Sequence, residues 1–312
     1  MKLASKIVFE ECFKLKSKES VLIITDKNKR EIAFSLKEAA EEISNNVFLV
    51  EMPIGKINGE EPPLSIANLM KSYDVIIGVT TKSISHTKAR VNACKLGARI
   101  ATMPGITKEM FKRTIPANYK EMKKITLKLQ KLMDEANQVK ITTKLGTNLI
   151  FSLKNRLSLT DYGDLSKKGS FDNLPSGECF IAPIENSANG IYYVDICMGT
   201  GLLKEPVKIT MKNGLAIKFE GKFAKEVKSQ FKGLPKKAFT IAELGIGTNN
   251  KAKISGKVLE DEKIFGTCHI ALGNNKGFGG KTDVPIHIDG VINKPNIFFD
   301  SKKIMISGIL LI

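Results

Sequence analysis

Through the first hundred residues, short apolar runs alternate with stretches of helical periodicity. Val21, Leu22, Ile23 and Ile24 form an unbroken hydrophobic run that ends at Thr25-Asp26, the pattern of a strand buried on both faces. Similar runs occupy residues 46–52, 73–79 and 98–103, the last stopping at Pro104-Gly105. Between them, residues 30–43 and 86–96 carry helical patterns, and Gly97 suits the left-handed end of the second helix. Strand–helix alternation of this kind predicts a doubly wound α/β domain. Residues 119–137 read as a lysine-rich amphipathic helix, with Met122, Ile125, Leu129, Leu132 and Met133 among its apolar positions.

Beyond residue 138 the character changes to short β segments separated by Gly, Asn, Asp and Pro. Examples are residues 139–143, 148–153, 190–198 and 215–219, with the hairpin signal Asn213-Gly214 before the last. The expected architecture is therefore α/β overall. A doubly wound α/β domain covers residues 1–137, and a β-rich α+β domain carrying a metal site covers residues 138–312. The glycine cluster 273–280 lacks phosphate-cradle spacing and reads as a loop near the site.

The second half also holds the chemistry. Val284, Ile286 and Ile288 alternate with Pro285, His287 and Asp289, so on a strand the imidazole and the carboxylate share one face. His269 lies eighteen positions upstream, so two of only three histidines fall in this short stretch. Histidine is the commonest side-chain ligand for transition metals. Glu178 and Glu243 are each a lone acid within an apolar segment, where a carboxylate is costly unless paired or metal-bound. A core hydrogen bond is the ordinary explanation of one histidine, and a salt bridge to a lysine that of one buried acid. Two histidines, an adjacent aspartate and two isolated acids together point to a metal site.

Composition narrows the classes. Hydrophobic residues at 42% and charged residues at 26% are an ordinary globular balance, and no stretch approaches a membrane span. The N-terminus lacks the apolar core of a signal peptide, which leads to the expectation of a cytoplasmic protein. The net charge of +17 is nearly all dispersed lysine, with five arginines and no tryptophan, which argues against nucleic acid as the partner. The five cysteines form no CxxC pair. Cys179 and Cys268 each adjoin a proposed ligand, and alternation along a strand turns them away from it, into the core.

Several strings together resemble the aminopeptidase T-like family of metallopeptidases. They are Gly146-Thr147-Asn148-Leu149 with Phe151, the proline-bounded segment around Gly177-Glu178, Ala242-Glu243-Leu244, the run from Cys268-His269 to Gly273, and His287-Ile288-Asp289. The resemblance implies that Glu178, Glu243, His269, His287 and Asp289 hold two divalent ions (Zn, Co or Mn). A metal-activated water would then release N-terminal amino acids from a small peptide, with Glu178 or Glu243 as catalytic carboxylate. It also implies a homo-oligomer. The tyrosine that follows the first histidine closely in those enzymes has no counterpart, and Lys276 and Phe278 stand in that stretch. The 2,5-dihydroxypyridine dioxygenases, relatives of the same architecture, are also similar to this chain, notably over residues 74–105. That resemblance implies one Fe(II) on His269, His287 and Asp289. His86, in a turn after a sheet strand, and Lys276 are candidate substrate contacts. The primary expectation is the aminopeptidase-like hydrolase. The dioxygenase and a non-catalytic binding protein with a vestigial site are the alternatives.

Overall fold

A computed structural model describes residues 1–199 and 201–312. Two compact units emerge, one made of Met1–Tyr119 with Asp161–Ser176, the other of Lys120–Thr160 with Gly177–Ile312. The boundary expected at residue 137/138 does not coincide with this division. The lysine-rich helix goes with the second unit, and a short segment returns to the first.

In the first unit, α1 (Lys2–Ile7) precedes β1 (Val21–Thr25), α2 (Arg30–Glu41), β2 (Val47–Glu51), α3 (Leu64–Leu69), β3 (Val75–Val79), α4 (Lys88–Lys95), β4 (Arg99–Thr102) and α5 (Lys108–Thr114). The strands pair in parallel in the order β2-β1-β3-β4. Every residue of β1, β3 and β4 is buried, as their unbroken apolar runs require of strands covered on both faces. The strand–helix alternation seen in the sequence is thus an open parallel sheet of the α/β class.

The chain continues with α6 (Tyr119–Glu135), β5 (Gln138–Thr142), β6 (Asn148–Ser152) and β7 (Leu159–Asp161), which lie in the second unit save for the terminal residues Tyr119 and Asp161. The chain then adds β8 (Phe171–Asn173) to the first sheet, parallel to β4. It returns through β9 (Glu178–Ile181), β10 (Asn189–Val194), β11 (Val207–Lys212), β12 (Leu215–Glu220), α7 (Ala224–Ser229), β13 (Ile241–Gly247), α8 (Val258–Asp261), β14 (Thr267–Gly273), β15 (His287–Asn293), β16 (Asn296–Phe299), β17 (Lys302–Ile306) and β18 (Ile309–Leu310). An eight-stranded sheet runs β12-β11-β10-β6-β5-β16-β17-β18, and a five-stranded sheet runs β15-β14-β13-β9-β7. The Asn213-Gly214 signal closes the β11–β12 hairpin, with φ of 49° and 76°, the double left-handed turn that matches strand twist.

One hydrophobic core joins the two sheets. Val139, Ile141, Leu149, Phe151, Val194 and Ile209 from the larger sheet meet Leu244, Ile246, Ile270, Leu272 and Ile292 from the smaller. Cys179 and Cys268 belong to this core and are fully buried. The five-stranded sheet therefore spends one face on packing, and the other is left for chemistry.

Candidate metal centre

Strand register assembles the polar face. Across β9, β13, β14 and β15, Glu178 stands opposite Gly247, Phe180 and His269 flank Gly245, Glu243 pairs with Ala271, Ala271 with Asp289, and Gly273 with His287. Because side chains alternate, Glu178, Glu243, His269, His287 and Asp289 all project from the side opposite the core. A register shift between Ile241 and Glu243 marks a bulge, the device by which a strand re-aims a side chain. Gly245, Gly247, Ala271 and Gly273 form a floor of small residues under the larger groups.

The floor is a steric necessity. A Cβ on Gly245 would lie 2.0 Å from Cε1 and 2.1 Å from Nε2 of His269, so the imidazole lies directly over that glycine. A Cβ on Gly247 would lie 2.1 Å from the Ile264 carbonyl oxygen, so this glycine admits the turn carrying Glu262 and Lys263.

Among the described residues, two groups of donors lie with one ligand atom each within 4.8 Å of one another: Glu178, Glu243 and His269, and Glu243, His287 and Asp289. Glu243 is common to both. Its Oε1 is 3.1 Å from His269 Nε2 and its Oε2 is 3.3 Å from His287 Nε2. Asp289 Oδ1 is 3.2 Å from the same His287 nitrogen, and Glu178 Oε2 is 3.5 Å from His269 Nε2. His287 Nδ1 is 2.7 Å from the carbonyl oxygen of Asn274. A carbonyl only accepts, so Nδ1 carries the hydrogen. Nε2 then faces two carboxylates, an arrangement that demands a proton or a metal cation between them. Glu178 Oε2 and His269 Nδ1 are buried and accept or donate no hydrogen bond. Nitrogen and oxygen donors, a fixed tautomer and a buried carboxylate oxygen without a hydrogen bond together fit a divalent transition metal.

The electrostatics are those of a charged cluster out of water. Burial opposes ionisation of Glu243, but hydrogen bonds to His269 and His287 hold its carboxyl well below the usual range. Burial likewise resists a charged His269, yet the Glu243 hydrogen bond and the Glu178 charge push it up to about 9. His287 is raised against burial by Asp289 and Glu243, and Asp289 is lowered by His287. Glu178 differs: burial dominates over the pull of Lys263 and carries it up to about 8.

Lys263, Glu262 and Phe180 escaped sequence reasoning as neighbours of the site, and Phe278 entered it only as a residue in the stretch that lacks the tyrosine. Lys263, 1% exposed, makes a short ion pair with Glu178 Oε1 and lies 3.1 Å from Glu262. Phe278 meets the His287 ring edge-on, with centroids 5.8 Å apart, and meets Phe180 in the same manner at 5.7 Å. Lysines make up all but five of the 49 basic residues, so no composition signal distinguishes Lys263. Lys276 is exposed, with its Nζ 2.6 Å from Asp283. His86 is exposed in the turn between β3 and α4, in the first unit.

Comparison with known proteins corrects the functional expectation. The model of the family described as NicX, 2,5-dihydroxypyridine 5,6-dioxygenase, matches residues 3–312. A curated 2,5-dihydroxypyridine 5,6-dioxygenase of Pseudomonas putida KT2440 is 23% identical, over 87% of this chain and 84% of its own length. The solved structure of 2,5-dihydroxypyridine dioxygenase from that organism superposes with a TM-score of 0.87 at 20% identity, covering 99% of this chain and 96% of the other. Wild-type AmpT from Thermus thermophilus superposes with a TM-score of 0.74 at 14% identity, covering 100% and 98%. The likeness to AmpT is one of fold. The expected aminopeptidase, a hydrolase and metalloprotease, is overturned by the family match, which runs along residues 3–312, whereas the likeness to AmpT is in fold alone. The chain belongs to the NicX family, that of 2,5-dihydroxypyridine 5,6-dioxygenase.

Proposed function

We propose that this protein is a ring-cleaving dioxygenase acting on a 2,5-dihydroxypyridine, with one iron(II) held by His269, His287 and Asp289. The observation that carries the reading is the pair of imidazole Nε2 atoms turned onto carboxylates above a glycine floor, in a chain of this family. Two histidines and one carboxylate with open positions are the donor set of non-haem iron oxygenases. Iron(II) bound there supplies the redox chemistry that lets dioxygen react with an aromatic ring.

The protein's own groups prepare that site. The Asn274 carbonyl holds His287 in the tautomer whose Nε2 lone pair faces inward. Glu243 touches both imidazoles and orients them. Gly245 leaves open the space that the His269 ring occupies. Phe278 packs edge-on against His287 and, with Phe180 edge-on to it, offers an aromatic wall against which a planar pyridine ring can pack. The five cysteines carry no disulfide among the described residues, which suits a reducing compartment such as the cytoplasm.

The test is oxygen uptake by iron-loaded protein given 2,5-dihydroxypyridine, with iron counted by elemental analysis. The expected result is oxygen consumption equimolar with substrate, abolished together with iron binding in His287→Ala. Iron retention in His287→Ala would overturn the proposed ligand set. Absence of uptake in the fully iron-loaded protein would overturn the substrate assignment.

A further inference from the structure

We propose that Lys263 is a built-in cation that takes the Glu178 side of the cluster and limits the site to one divalent ion; this rests on the metal reading above. The donor geometry alone offers two places for a cation, because Glu178–Glu243–His269 and Glu243–His287–Asp289 are separate groups sharing one carboxylate. Only the Glu178 end of the first is already engaged, which leaves His269 to join His287 and Asp289 around a single ion. Lys263 Nζ is ion-paired to Glu178 Oε1 and lies 3.1 Å from Glu262 Oε1. A monovalent ammonium there compensates the carboxylates and repels a divalent ion from the same oxygen.

The fold delivers this lysine rather than leaving it to chance. Its amide donates to the Glu260 carbonyl at 3.0 Å, and its carbonyl accepts from the Asn249 amide at 2.9 Å. The backbone of Lys263 and Ile264 passes so close to Gly247 that any side chain at 247 would collide with it. Gly247 is the register partner of Glu178, so the space that this glycine vacates is what brings Nζ to the Glu178 carboxylate. The lysine is as deeply buried as the core, and a buried ammonium is tolerated only when paired in this way. Glu178 Oε2 receives no hydrogen bond and faces His269, so the acid still points into the cluster while its partner oxygen is occupied. Lys263 is thus a positioning residue, acting on metal count and on the orientation of Glu178.

The experiment counts ions in full-length protein equilibrated with excess Mn²⁺ and desalted, by elemental analysis. One ion per chain is expected for the native protein and for Lys263→Arg, and two for Lys263→Met. A count of two in the native protein, or of one in folded Lys263→Met, overturns the proposal while the metal reading stands. A count of zero in the native protein overturns the metal reading itself. Glu178→Gln supplies a test that does not depend on Lys263→Met folding. With Lys263 engaging this side chain, Mn²⁺ affinity in Glu178→Gln changes by less than about tenfold, whereas losing a supporting or ligating group costs about 10–100-fold. A fall in that larger range means that Glu178 serves the metal directly and the lysine does not replace an ion.

Discussion

Gly245→Ala isolates the geometry of the site from its chemistry, since it removes no donor and adds one methyl group. The position is in the middle of β13, outside the left-handed region, so alanine fits the backbone without strain. The new Cβ would lie 2.0 Å from His269 Cε1, and ordinary contact begins near 3.4 Å. The imidazole must therefore retreat by at least about 1.4 Å, far beyond the roughly 0.2 Å tolerance of a metal–nitrogen bond. The expected results are a fall in metal affinity of about 10–100-fold and a loss of turnover of about 10²-fold. Overpacking of this kind costs about 1–3 kcal/mol of stability, so the fold survives. Chelator competition reads the affinity, and thermal unfolding without metal confirms the folded state. A folded Gly245→Ala protein with native metal affinity would refute the claim that His269 binds from above this glycine.

Metal loading should release protons. In the metal-free cluster burial disfavours the charged His269, but its carboxylate partners raise it to about 9, so near neutral pH a cation must displace that proton. Apparent affinity then climbs with pH up to about 9 and levels off above, and calorimetry in buffers of different ionisation enthalpy should show it; buffer-independent heats would contradict it. The same group gives the opposite trend in stability of the metal-free protein. Its contribution is complete below the unfolded value of 6.5 and is lost as pH rises through about 9, which denaturant titrations across that window can follow. Ile270→Ala, on the core face of β14, should cost about 2–5 kcal/mol in chemical denaturation while leaving the ion count unchanged. A lost ion in that variant would mean that the two faces of the sheet are not independent.

The clustering of these polar side chains on one face was legible because a strand's period of two is visible in sequence. His287 and Asp289 alternate with Ile286 and Ile288, and Glu243 and His269 interrupt apolar runs whose other members had to be core. The open parallel sheet was legible for the same reason, since buried runs such as residues 21–24 have few other uses. The choice between hydrolase and oxygenase was not legible from a few short strings in the second half, and the family match over residues 3–312 corrected it.

What the sequence alone determined is which side chains would lie on which face of each strand, because that depends only on local geometry. Which strands become neighbours, and in what register, depends on packing between distant segments. Only the tertiary structure could therefore set His269 over Gly245, bring Lys263 to Glu178 past Gly247, and rest Phe278 on His287. Each of these contacts joins residues that carry no mark of one another in the chain, and sterics and burial in the folded state select them.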